Sequence, residues 1–246
     1  MLIESTIQRY EECSFNAWPA LQSLIAGGWL LRFAQGHTRR ANSVNALSRS
    51  VELEEIVDFA GPFYRQLDLP LIFRVTPLIP HEFDLRLEQQ GFRLLDSVQV
   101  MTRDLSLSQP HDPAVHWSDR PSGDWLRGVD DAAQLGDSAR QVQLAMLTAQ
   151  RVPTAFATLF EDGMPLAYGM AAYERGAVGL FKIVTLPQAR RRGAAIRLCS
   201  SLLAWGQQQG ARSAYLQVES DNQAALALYE KMGFSTAYQY HYRVSA

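Results

Sequence analysis

Three β-prone runs, Thr154 to Glu161, Leu166 to Glu174 and Val178 to Thr185, are separated only by the turn-forming stretches Asp162-Gly163-Met164-Pro165 and Arg175-Gly176-Ala177. Connections this short join antiparallel neighbours, because a parallel pair needs a crossover of about a dozen residues or more. A three-stranded meander is therefore expected. Helical and extended patterns alternate after it: a helix from about Gly193 to Gln209, a strand from Ala214 to Val218, a helix from Asn222 to Met232 and a strand from Phe234 to Val244. In that last strand Phe234, Thr236, Tyr238, Tyr240, Tyr242 and Val244 share one face and Ser235, Ala237, Gln239, His241 and Arg243 the other, which predicts a covered face and a wetter one. Two helical patterns, Trp125 to Ala133 and Ser138 to Gln150, precede the meander.

Farther upstream, Phe15, Trp18, Leu21, Leu24 and Ile25 recur at helical spacing and predict a first helix over Phe15 to Ala26, stopped by Gly27-Gly28. Trp29 to Ala34 and Ala41 to Leu47 flank a turn-rich segment and read as an antiparallel hairpin. Val51 to Gln66 reads as a helix that Gly61-Pro62 can kink or break, Pro70 to Thr76 as a strand, Glu82 to Gln90 as a short helix and Phe92 to Leu105 as mostly strand. Ser106 to Asp124 gathers Ser, Pro, Asp and Gly without periodicity and is the best boundary. A chain of 246 residues accommodates two domains, here a smaller α/β domain over residues 1–108 and a second over 113–246.

Composition narrows the function classes. With 47% hydrophobic and 20% charged residues the chain can bury a core. A net charge of -2 gives no long-range attraction to nucleic acid or an anionic membrane, so neither is expected as a partner. Cys13 and Cys199 make no disulfide framework, and the five histidines show no metal-ligand spacing, so no metal is expected. The N-terminal residues are acidic where a signal peptide would be basic, and no apolar run is long enough to span a bilayer; a cytoplasmic location follows. Arg39, Arg40, Asn42, Ser43, Asn45 and Arg74 are polar groups able to reach an acceptor, but such residues are more often loop hydrogen-bond formers and surface charges.

The chemistry concentrates between Ile183 and Tyr229. A β-rich run stops at Pro187 and a helix resumes at about Gly193, with Ala194 and Ala195 in its first turn. The open N–H groups and positive dipole end of such a helix suit a phosphate or pyrophosphate. Arg190, Arg191 and Arg192 add charge there, and Gly193 and Ala195 keep side chains from holding a ligand off the backbone. Taken alone, three arginines are more often a solvated surface run before an ordinary helix. Seven residues, or about two helical turns, separate Asn222 from Tyr229, so both can share one helix face. Tyr229 reads either as a proton or hydrogen-bond donor or as a core aromatic.

Pro187-x-x-Arg190-x-x-Gly193-x-Ala195, then a helix, a strand, and Asn222-x-x-Ala225-x-x-Leu228-Tyr229-x-x-x-Gly233-Phe234, together resemble the signature of the GNAT N-acetyltransferase superfamily. The resemblance covers about Pro113 to Val244; the N-terminal element order is compatible with a shortened or diverged copy of the same fold. It implies a mixed, largely antiparallel sheet flanked by helices. It also implies acetyl-CoA as co-substrate, with Ile183, Val184 and Thr185 bonding the pantetheine, the turn from Arg190 through Arg191, Arg192, Gly193, Ala194 and Ala195 to Ile196 holding the pyrophosphate, Asn222 contacting the coenzyme, and Tyr229 protonating the departing thiolate.

The implied activity is transfer of an acetyl group to a primary amine by direct attack, with the N-terminal region shaping the acceptor pocket. Many relatives place a glutamate where this chain has Gln217, which cannot act as a base; Glu219, Glu174 and His116 remain candidates. That departure motivates a second reading, an acyl-CoA-binding sensor without turnover.

Overall fold

Pro19 sets the first boundary of the structure, because the residue before a proline is pushed out of the helical region. In the computed structural model, which describes residues 4–49 and 55–245, helix α1 (Glu4–Ala17) ends just ahead of it, and β1 (Gln22–Ala26) follows. The helix expected over Phe15 to Ala26 is thus two elements. Gly27 and Gly28, expected as a helix stop, both have positive φ and form the tight turn between β1 and β2 (Trp29–Phe33), with Ala26 opposite Trp29. β3 (Val44–Ala46) pairs antiparallel with β2 as the hairpin pattern predicts.

Helix α2 (Ile56–Gln66) runs through Pro62 unbroken; the expected helical residues Val51 to Glu54 lie outside the described residues. β4 (Ile72–Val75), α3 (His81–Gln89) and β5 (Arg93–Asp104) follow. The aperiodic stretch after β5 holds β6 (Val115–Ser118), too short to show a period but paired antiparallel with a later strand. Next come α4 (Gly123–Ala132), whose first turn is capped by the Ser122 hydroxyl accepting from Trp125 N, and α5 (Asp137–Ala149). The meander β7 (Thr154–Glu161), β8 (Met164–Glu174) and β9 (Ala177–Thr185) is antiparallel throughout, with positive φ at Asp162, Gly163, Arg175 and Gly176 in its turns. α6 (Ala194–Gln208), β10 (Ser213–Glu219), α7 (Gln223–Lys231) and β11 (Ser235–Val244) complete the chain.

These elements form two compact units. One comprises Met1–Val100, Val218–Gln223 and Thr236–Ala246, and its strands are ordered β1-β2-β3-β4-β11-β5. β3 and β4 are parallel, and β11 pairs antiparallel with β4. Its core is aromatic: Phe73 packs edge-on against Trp29 and Phe83, with ring centroids 5.9 and 5.5 Å away. Polar groups expected at the surface lie inside this unit. Asn42 is buried and its Oδ1 accepts from Ala34 N and Gly36 N, organising the loop before β3. Arg74 is fully buried, pairs through both terminal nitrogens with Glu11 and lies 3.7 Å from the Tyr240 ring centroid, while Tyr238 donates to the same carboxylate. The wetter face of β11 also holds a buried charge, since Arg243 donates to Asp84 at 2.8 Å. A buried arginine is tolerated because its partner is buried with it.

The other unit comprises Met101–Gln217 and Ala224–Ser235, with strand order β10-β9-β8-β7-β6. Only the β9–β10 pair is parallel, and α6 is the crossover between them. α6 packs across β7, β8 and β9 through Leu198, Leu202 and Leu203, all buried. The contact is close at Gly206, where an added Cβ would lie 2.7 Å from Val178 Cβ. Alanine at a helical glycine ordinarily gains about 1 kcal/mol, but the β-branched Val178 has no slack and overpacking costs about 1 to 3 kcal/mol. Gly206→Ala is therefore expected to lower the melting temperature; a rise would contradict this packing.

Candidate active site

The parallel ladder between β9 and β10 starts at Ala177↔Ser213 and ends at Leu180↔Leu216, although β9 continues to Thr185. A bulge at that point turns β9. Phe181 pairs with Met170 and Val184 with Tyr168, so Lys182 and Ile183 stand opposite the single residue Gly169. Such a two-against-one arrangement bends the strand. Lys182 carries the strain, with φ 52°. Gly169 makes room for it: a Cβ there would sit 2.6 Å from Ile183 Cδ1, whose side chain lies over the strand toward Leu198 and Leu202. Ile183, Val184 and Thr185 therefore keep β8 on one edge and lie past the end of the β10 ladder on the other.

A single 3-10 turn over Pro187–Ala189 leads from β9 to the arginines, all three exposed. Arg191 and Gly193 adopt left-handed backbone, φ 60° and 77°. An added Cβ at Gly193 meets nothing within 4 Å, so conformation and not space requires glycine there. α6 starts at Ala194, and no side chain among the described residues caps it, unlike α4. Its first-turn N–H groups at Ala194, Ala195 and Ile196 are thus open to an anion. The arginines divide in two. Arg192 is ion-paired with Glu161, which also meets Arg197 at 3.4 Å, and Arg197 Nε holds Asp112 at 2.6 Å. The Arg197 hydrogen bond holds the Asp112 carboxyl below the usual carboxylate range. Arg190 and Arg191 make no ion pair among the described residues.

Tyr229 is 8% exposed on α7 and packs edge-on against Phe234 at 5.9 Å. Burial, and then the nearby Cys199 of α6, push its hydroxyl far above the ordinary tyrosine range, so it stays protonated. Burial also pushes the Cys199 thiol up to about 12, which leaves it an unreactive core residue. Asn222 is exposed and immediately precedes α7, its N–H donating to Glu219 O at 3.0 Å. Gln217 is half-buried one residue past the end of the ladder, and Glu219 is exposed farther along β10. Glu174 pairs with Ala177, at the opposite end of β9 from Val184. His116 is laterally aligned with Val184 through Thr158 and Tyr168, three strands and so about 14 Å away. Sequence reasoning missed one carboxylate: Asp130 of α4 is buried and accepts from Gln143 Nε2. Its helix carries no motif that would single it out.

The family described as "Probable histone acetyltransferase Rv0428c C-terminal" matches residues 4–243. The chain belongs to this family. It is 30% identical over 247 residues to the uncharacterized N-acetyltransferase YobR of Bacillus subtilis, covering 97% of this chain and 98% of that one. It is also 30% identical over 245 residues to the probable histone acetyltransferase Rv0428c of Mycobacterium tuberculosis, covering 94% of this chain and 71% of the relative. The fold matches a GCN5-related N-acetyltransferase from Kribbella flavida with a TM-score of 0.70 at 14% identity, over 97% of this chain and 95% of that one. This member of the Rv0428c C-terminal family is accordingly a GNAT protein and an acyl-CoA-dependent acetyltransferase, with the mixed, largely antiparallel architecture its motifs implied. No helix among the described residues is long and apolar enough to cross a membrane.

Gly193→Ala tests the turn. A left-handed non-glycine residue costs about 1 to 2 kcal/mol. The variant is expected to melt lower and to bind CoA more weakly by calorimetric titration; unchanged values for both would rule out the left-handed turn.

Proposed function

We propose that this chain transfers an acetyl group from acetyl-CoA to a primary amine, the amine attacking the thioester directly. The observation that carries this reading is the end of the β9–β10 ladder at Leu180↔Leu216, in line with an uncapped α6 behind a left-handed turn. In it, the backbone of Ile183, Val184 and Thr185 bonds the pantetheine amides. The N–H groups from Gly193 to Ile196 hold the pyrophosphate, Arg190 and Arg191 supply the mobile positive charge, and Arg192 braces the turn through Glu161. Asn222 contacts the coenzyme. Tyr229, whose hydroxyl holds its proton far more tightly than a thiol does, donates a hydrogen bond to the departing sulfur.

Residues 113–246 carry the transfer chemistry in this reading, and residues 1–108 shape the acceptor side. The partners are acyl-CoA and an amine, whether on a small molecule or a protein, with neither nucleic acid nor membrane involved. Two buried cysteines fit a reducing cytoplasm. The likeness to acetyltransferases argues against the acyl-CoA sensor without turnover that Gln217 motivates.

Acetyl-CoA at a hundred times its Kd is expected to stabilise the protein by about 2.7 kcal/mol. Replacing both Arg190 and Arg191 by alanine is expected to weaken binding by at least tenfold, since charge-assisted hydrogen bonds contribute about 1.5 to 3 kcal/mol each. Thiol release with an amine panel tests the transfer to an amine: tight binding without release for every amine defeats it, as does absence of any stabilisation by acetyl-CoA.

A further inference from the structure

Along β7, Ala155, Ala157 and Leu159 point to one face of the sheet and Phe156, Thr158 and Phe160 to the other. α6 covers the first face, since the space over Gly169, which pairs with Ala157, meets Leu198 and Leu202. α4 lies on the second. There Tyr168 of β8 lays its ring against Gly128, and an added Cβ on that glycine would overlap the ring. Between α4 and this second face is a cavity of about 580 Å³, all of whose lining belongs to the unit that holds β6 to β10. Its floor is a lateral row in which His116 of β6 pairs with Thr158 and Thr158 with Tyr168. Phe156 and Phe160 flank Thr158 on the same strand, and Asp124, Gly128 and Asp131, four and then three residues apart on one helix face, form the roof.

Two hydrogen bonds fix that roof to the place where β9 opens. Trp125, also in the lining, donates from Nε1 to Ala157 O at 3.1 Å and to Gly169 O at 3.2 Å. Gly169 is the residue that faces the two-residue bulge of β9. The floor row itself continues from Tyr168 to Val184, whose side chain shares the α4 face about 5 Å farther on. The inner end of the cavity thus borders the stretch of β9 along which the acetyl-transfer reading lays the pantetheine.

The lining selects the kind of molecule. The volume falls within the range of small-molecule sites, about 300 to 1,000 Å³. Trp125, Phe156, Phe160 and Tyr168 offer flat apolar surface, and Thr158 and Phe160 are only half-buried, so the cavity reaches them. Of the carboxylates, Asp124 is ion-paired with Arg127, while Asp131 meets Arg140 through Oδ1 at 2.7 Å and has Oδ2 unengaged among the described residues. One carboxylate oxygen above aromatic walls suits a single cation on a flat apolar body. A polyamine would want a carboxylate for each charge, and a lysine stem brings no ring to the walls.

We propose that the acceptor of this chain is a small primary amine carried on an aromatic body, held in the cavity between α4 and β6 to β8. This rests on the reading of the chain as an N-acetyltransferase, and the cavity is the second unit's share of the acceptor side. The rings hold the body, and Asp131 draws in the ammonium. The ammonium gives one proton to solvent, the neutral nitrogen bonds to the acetyl carbon, and its second proton passes to the sulfur as the C–S bond breaks, so that an acetamide and the CoA thiol leave. Thr158 and Asp131 are positioning residues for that amine.

The test is thiol release from acetyl-CoA with phenethylamine, tryptamine, spermidine and a lysine-bearing peptide, for the full chain, Thr158→Phe and Asp131→Asn, together with calorimetric titration of tryptamine into the CoA-bound protein. The wild type is expected to favour the two arylalkylamines in kcat/KM by about tenfold or more. Thr158→Phe fills the floor and is expected to raise the KM of tryptamine by about tenfold, with kcat and the thermal stabilisation by CoA kept. Asp131→Asn is expected to raise the same KM by about tenfold and to leave competition by tryptophol, which has the same body without the charge, unchanged. Spermidine or the peptide matching the arylalkylamines would overturn the proposal, as would an unchanged tryptamine KM in Thr158→Phe. Should Thr158→Phe fail to fold, an unchanged KM in Asp131→Asn overturns it instead. No release by the wild type with any amine overturns the acetyl-transfer reading; tryptamine that fails to titrate into the CoA-bound protein, while another amine releases thiol, overturns the role of the cavity alone.

Discussion

The open edge of β9 depends on its parting from β10. A parallel pair with matched ladders would run on side by side to Thr185 and leave no open edge. What prevents it is the bulge, which sets two residues of β9 against one of β8 and turns the strand. The side chains of Ile183 and of Leu198 and Leu202 of α6 occupy the space over Gly169, which only a glycine leaves open. The same helix presents its uncapped first turn at the end of the turned strand. The opened backbone and the uncapped helix start thus lie on either side of one 3-10 turn. The strain this requires is confined to Lys182, Arg191 and Gly193.

Local signals in the chain were sufficient for this half. Asp162-Gly163 and Arg175-Gly176 occupy left-handed turns, and the meander they define is antiparallel as short connections demand. The start of α6 was legible because Pro187 and Gly193 are positional punctuation. What escaped sequence reading is non-local. Gly27-Gly28 is a hairpin turn because Pro19 has already ended the helix, a distinction periodicity does not make. β6 exists because β7 offers it an edge. Nothing near Arg74 in sequence announces Glu11, which stands 63 positions away. Arg192 looked equivalent to its two neighbours until Glu161, 31 positions upstream, took its charge.

The two units share a plan. In each, three antiparallel strands lead through a helix to a strand parallel with the third: β1, β2, β3, α2 and β4 in one, β7, β8, β9, α6 and β10 in the other. The interiors have diverged. Beside the parallel pair of the first unit, where Asn45 is opposite Arg74, the space is filled by the Arg74–Glu11 ion pair and the Tyr238 and Tyr240 rings. There the buried charge is paired within its own chain through both terminal nitrogens of Arg74, whereas no side chain among the described residues caps the start of α6 in the second unit.

The sheet of the first unit contains β11 between β4 and β5. That strand supplies Tyr242 and Arg243 opposite Arg74 and Phe73. Without it β4 would expose a bare edge. The unit that holds α1 is consequently closed only by a strand far along the chain, and contacts of such high sequence separation form slowly.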